Sequence, residues 1–266
     1  NYNWRSKIMG IILPLISPLS RKYYLYASDA EGKIHHKALD IRLCLECVCN
    51  EIVYQFVSHE TQQRWKRFSL HEKIEATKEF MNTEVVNGLL NAKGIGNKGA
   101  HDGEEGQYSS QDIIDAQEAI KKFSLEIFCS YFVKNGFENL QNGTWIPTVF
   151  STLPPTYRVT ILHKYYNHVP SPFVIDKLSK AYLKSGNKNE GINFLSECLN
   201  KKQISYAQFD RLKYDLDLLD KYFDKLPIAN NLEIAKENFN RLLPAIEEDN
   251  RDVFICLVSM VLNGKA

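Results

Sequence analysis

The sequence predicts an all-α protein, on three observations. Apolar residues recur at steps of three and four through most of the chain. No proline falls between Leu19 and Ile146, so long helices can run there without interruption. Helix-start signals of the form serine-x-x-acid stand ahead of two of the apolar stripes. With 266 residues, 44% of them hydrophobic and 24% charged, the chain can bury a real core as one large or two ordinary domains.

The N-terminal 34 residues read as a packing segment. Met9–Leu19 is apolar, but it is too short for a bilayer and is broken by Pro14 and Pro18. Arg21 and Lys22 follow it without a small-residue cleavage pattern, so burial against the rest of the protein is the expectation. A first long helix is then marked by Ala38, Ile41, Leu45, Val48, Ile52 and Phe56, with a polar stripe of Arg42, Glu46 and Asn50 on another face. Ser69 and Glu72 form a capping box for a second helix carrying Ile74 and Phe80. The third, Thr83–Ala92, carries Val85, Val86, Leu89 and Leu90. The glycine-rich stretch KGIGNKGAHDGEEG (93–106) reads as a loop whose glycines supply positive φ. Ser109 and Asp112 open the fourth helix, sustained from Ile113 through Tyr131 to about Lys134. Four amphipathic helices with short links make 35–135 a compact bundle.

Residues 136–172 read as an irregular, aromatic connector. The aromatics of 131–182 leave two readings open, a stacking or docking surface and the cement between domains. Helices return over 173–266. Tyr182, Gly186, Gly191, Leu195 and Leu199 fit one tetratricopeptide-like hairpin, with its turn at Ser185–Gly191. Further helices are expected near Phe209–Leu226 and Leu232–Leu262, the latter broken at Pro244.

Several chemistries find little support. Gly94-x-Gly96-x-x-Gly99 spells a dinucleotide fingerprint, but a helix rather than a strand precedes it. Cys44, Cys47 and Cys49 lie mid-helix without the second pair that structural zinc needs, so core packing is expected. His35, His36, His59, His71, His163 and His168 stand in no recognisable catalytic pattern. No cofactor and no metal are expected, nor is membrane insertion. The six cysteines read as reduced thiols of a cytoplasmic protein.

The segment Gly96-Asn97-Lys98-Gly99-Ala100-His101 resembles the asparagine-x-x-alanine-histidine core of the HEPN superfamily of helical bundles. It is most similar to an uncharacterised branch in which glycine precedes the asparagine. Arg42 and Glu46, one turn apart on the first long helix, extend the resemblance, which covers about 35–135. It implies a HEPN-like four-helix bundle that dimerises. For the nuclease members, it implies metal-independent RNA cleavage, with His101 as general acid/base and Asn97 as the orienting polar group. Lys93 and Lys98 are the nearest cations for a phosphate, and Arg42 and Glu46 form a supporting polar network. The departure is at Gly96, where nuclease members carry arginine.

Asp102, Glu104 and Glu105 follow His101 directly. Residues 35–135 hold twelve Lys or Arg against fifteen Asp or Glu, a poor footprint for RNA. Two functions therefore stand side by side. One is a dimerising adaptor or effector component, of the kind the superfamily supplies to microbial antiphage defence and toxin–antitoxin pairs, with a protein partner on the C-terminal helices. The other is a ribonuclease acting on RNA through His101.

Overall fold

The computed structural model describes residues 13–100, 108–138 and 145–264. Every regular element among them is helical. Two compact units emerge: Leu13–Ser130 joined by the closing residues from Asp252, and Tyr131–Arg251. No described helix is long and apolar enough to cross a membrane.

The first unit begins with α1 (Pro18–Ala27) and α2 (Ile34–Val48). Leu15 and Ile16, just ahead of α1, are fully buried. The Leu15 amide donates to Ser124 Oγ at 3.0 Å. Ala38, Ile41, Leu45 and Val48 form the buried stripe of α2, as their spacing requires. A π-helical turn at Cys49–Val53 carries the stripe on to Ile52 before the short α3 (Tyr54–Phe56). Next come α4 (His59–Arg64) and α5 (Leu70–Glu75). The capping box at Ser69 and Glu72 is present, each side chain meeting the other's backbone amide.

Helix α6 (Thr83–Lys98) overturns the loop expected at 93–106, since Lys93–Lys98 is helix. Neither Gly94, Gly96 nor Gly99 takes a positive φ. Their purpose is room. A Cβ on Gly96 would lie 2.7 Å from Arg42 Cβ and 3.1 Å from Arg42 Cα. One on Gly99 would lie 2.5 Å from Ala38 Cβ and 2.9 Å from the His35 carbonyl. The backbones of α6 and α2 thus meet where an ordinary side chain would hold them apart.

Helix α7 (Ser110–Asn135) starts as its signal predicts. The Ser109 amide donates to Asp112 Oδ2 at 2.6 Å, and the Asp112 amide to Ser109 Oγ at 3.3 Å. The Arg21 guanidinium of α1 donates to the carbonyls of Ile16 (2.8 Å) and Val261 (2.6 Å). Val261 lies in the last turn of α14 (Val253–Asn263), whose carbonyls need such donors. The closing helix, grouped with 173–266 on sequence, therefore packs in the first unit.

The second unit contains α8 (Ile146–Phe150), α9 (Pro155–His168), α10 (Pro172–Lys184), α11 (Lys188–Asn200), α12 (Tyr206–Lys221) and α13 (Leu232–Leu242). The stretch expected to be irregular holds α8 and α9. Pro155 stands in the first turn of α9, where a missing amide costs nothing. Nor are the aromatics a surface. Phe132, Phe137, Phe150 and Tyr165 are buried, with ring centroids 4.7–6.1 Å apart, and form the core of this unit.

The α10–α11 hairpin turns at Ser185–Asn187, through Gly186 at φ +86°. Its Asn187 amide donates to the Tyr182 carbonyl and its Gly186 amide to Leu183, the Schellman pattern. Gly191 lies inside α11 rather than in the turn, where a Cβ would meet the Ser179 carbonyl at 3.0 Å.

The three glycines of α6 make a test with opposite signs. Nothing lies within 4 Å of a Cβ on Gly94. Gly94→Ala is expected to raise stability by up to about 1 kcal/mol through helix propensity. Gly96→Ala is expected to lower it by about 2 kcal/mol or more, because the overlap outweighs that gain. Urea denaturation of the two variants measures both.

Candidate functional site

Three of the residues singled out by the sequence, Arg42, Glu46 and Asn97, gather where α6 crosses α2. Arg42 projects from α2 at the point where Gly96 leaves space. Its Nε donates to Glu46 Oε1 at 3.1 Å, and its Nη1 to Asn97 Oδ1 at 3.1 Å. One guanidinium thus joins a carboxylate on its own helix to an asparagine of α6. The Arg42 and Glu46 side chains are 34% and 39% exposed, so water screens the pair. Arginine preceding glutamate by four residues is also the weaker order for helix stability. The hydrogen bond to α6 is what gives the arrangement its structural weight.

His101 lies outside the described residues, as do Asp102, Glu104 and Glu105. The residues flanking 101–107 are packed on α2. Gly99 packs on Ala38, and Tyr108, only 6% exposed, clusters with the same Ala38 and with Ile113. Ile34 and Ile95 close that cluster. Sequence reading passed over Tyr108. Its signal was a large aromatic directly before a helix-start serine.

Lys93 and Lys98 are both on α6, but five residues apart they project roughly 140° from one another. Lys98 lines a groove of about 430 Å³ between α6 and α7. Asn91, Gly94 and Ile95 form the same wall, and Asp112, Asp115, Ala116 and Ala119 stand opposite. The two helices approach closely at one end, where a Cβ on Gly88 would lie 3.3 Å from Ala119 Cβ. Hydrogen bonds from Ser109 hold the Asp112 carboxyl below its usual range, so it is anionic at neutral pH. Lys98 therefore shares its groove with two carboxylates, a setting that opposes a phosphate.

The remaining member of the polar stripe, Asn50, serves packing of another kind. Its Oδ1 accepts from Trp65 Nε1 at 3.2 Å and from Lys73 Nζ at 2.8 Å. Trp65 and Lys73 had no sequence signal tying them to this helix.

The cysteines of α2 and the π-helical turn after it offer no nucleophile. Burial raises all three thiols, Cys44 furthest, Cys47 to about 11 and Cys49 to about 12. Among the described residues, no three His, Cys, Asp or Glu side chains are grouped so as to hold a metal ion.

No protein-family model matches the chain, and neither a curated protein nor a solved structure gives a significant match.

The geometry ranks the contributions at this crossing. Asn97→Ala is expected to cost about 1 kcal/mol for its hydrogen bond. Glu46→Ala is expected to cost less than about 0.5 kcal/mol as a screened partner. Chemical denaturation of each variant, with the Asn97→Ala/Arg42→Met double mutant, checks that order and the coupling across α2 and α6.

Proposed function

We propose that the Leu13–Ser130 unit is a HEPN-like bundle acting as a non-catalytic, self-associating adaptor, an effector component of the antiphage-defence or toxin–antitoxin kind. The observation that carries this reading is the contact at Gly96. In the superfamily's nucleases an arginine stands at this position. Here a single Cβ would already overlap Arg42 Cβ at 2.7 Å. With α6 seated on α2 in this way, no longer side chain fits there. Asn97, the next motif residue, accepts its hydrogen bond from Arg42 of the same chain. The acidic excess over 35–135 points the same way, away from a polyanion substrate.

One observation favours the alternative, a metal-independent ribonuclease. The Arg42 guanidinium is one-third exposed beside Asn97, so a cation from α2 stands close to the motif although Gly96 supplies none. Such a group could stabilise charge on a phosphate while His101 moved the proton of the ribose 2′-hydroxyl.

Purified protein incubated with mixed RNA and excess chelator separates the two. The adaptor reading expects no cleavage above background by wild type, His101→Ala or Arg42→Ala. It also expects a dimer mass by light scattering. Cleavage by wild type that falls about a hundredfold or more in both variants establishes the ribonuclease instead.

A further inference from the structure

The second unit leaves one helical seam open to water. Helix α12 packs on α10 and α11 and buries Leu212 and Leu216. On its other side Ala207, Arg211, Tyr214, Leu218 and Lys221 follow one another at steps of four, three, four and three. All five are exposed, Tyr214 at 66% and Leu218 at 43%. At 100° per residue they fall within an arc of roughly 80°. The aspartates of α12 lie outside that arc, with Asp210 at its margin. Exposed apolar side chains scattered singly need no explanation, whereas these share one seam.

The ionic groups of α12 divide the same way. Asp215 meets Lys180 at 3.3 Å, while Asp217 and Asp220 meet Lys188 at 2.7 and 3.1 Å. Lysines of α10 and α11 thus engage these acids. Arg211, Lys221 and Lys225 pair with no carboxylate among the described residues. Lys221 and Lys225 instead stand over the ring of Tyr222, each 5.7 Å from its centroid. The outer side of the helix is therefore aromatic and cationic.

We propose that this seam docks an acidic amphipathic helix of a partner protein. A seam that repeats every 3.5 residues is what a second helix packs against, side chain into hole. Tyrosine and arginine are also the residue types that contribute most at the centre of protein interfaces. The cations without acidic partners set the sign of the occupant. Glutamates flanking the partner's apolar seam would neutralise them and steer its approach. A nucleic acid fits less well, since a base stacking on Tyr222 would have to displace two lysines. A membrane fits less well too, because Leu218 is the one large aliphatic side chain of the seam. The surface gives the adaptor a partner, yet it rests on the second unit's own geometry and stands whether or not the bundle cleaves RNA.

The test titrates the whole chain into a fluorescein-labelled peptide of about three heptads, with Leu at the a and d positions and Glu at e and g. Repulsion between the glutamates keeps this peptide from pairing with itself. A counterpart carries Lys at e and g. By anisotropy, the acidic peptide is expected to bind at least about tenfold more tightly than the basic one, and less tightly as salt rises. Tyr214→Ala and Leu218→Ser, both at exposed positions, should each weaken it about tenfold with Tm unchanged. The double variant Arg211→Glu/Lys221→Glu should prefer the basic peptide instead. No binding, equal binding of the two peptides, or unchanged affinity in the variants overturns the site. Tighter binding of oligouridylate or of phosphatidylserine vesicles than of the acidic peptide overturns it in favour of a nucleic acid or a membrane.

Discussion

The close approach of α6 to α2 is the constraint on which the first unit depends. At Gly96 and Gly99 two helix backbones come within the distance of a side chain that neither residue has. Once they are that close, the Arg42 guanidinium has only to reach sideways to find Asn97 Oδ1. The same contact seats the end of α6 on Ala38, where Tyr108 arrives from the start of the next helix. On its other side α6 keeps a glycine with open space, Gly94, and the groove toward α7 forms there. Polar network, groove and the anchored flanks of 101–107 are thus consequences of one packing decision. A helix with alanines at 96 and 99 would be a better helix by propensity and a worse fit.

That decision was hidden in the sequence by the habit of reading glycine as punctuation. Val85, Leu89, Ala92, Gly96 and Gly99 follow one another at steps of four, three, four and three. The stripe does not stop at Ala92. Its side chains shrink toward the point where the helices touch, and a helical contact face made of glycine has the same period as one made of leucine. Intrinsic propensity argued for a loop, with each glycine disfavoured by about 1 kcal/mol, and tertiary packing overrode it. The α2 stripe and the start signals at Ser69 and Ser109 were legible because their causes are local: a period, and a hydroxyl within reach of an amide three residues on. The reach of Arg42 to Asn97 spans fifty-five positions, and only the resemblance to a known motif brought those two residues together beforehand.

The helices of 136–172 were hidden in the same way. Pro147 and Pro155 each stand in the first turn of a helix, where the ring's fixed φ is already helical. Behind Pro155 the buried residues Tyr157, Ile161, Leu162, Tyr165 and Tyr166 trace a helical stripe. Aromatic density, which left a docking surface and a cement between domains both open, is the core of one unit. The burial that removed those rings from any stacking role also left Arg158 enclosed among them in sequence, at a depth that composition gives no means of anticipating.

The near-neutral charge of the whole chain conceals how its ionic groups are distributed. Residues 35–135 carry an excess of three acids, whereas Tyr131–Arg251 holds sixteen Lys or Arg against fourteen Asp or Glu. Neither imbalance is large, and what separates the two regions is burial. On α2, Arg42 is shared between a carboxylate and an amide at a screened surface, where adding or removing a charge changes little. In the α9–α10 pair, Arg158 is sheltered from water with its Nε unmatched, and every additional charge nearby is felt strongly. The resemblance to a known motif draws the eye to the first place. Electrostatics gives the second the greater weight, because the energy of an ion depends less on how many partners its neighbourhood could offer than on how much solvent it has lost.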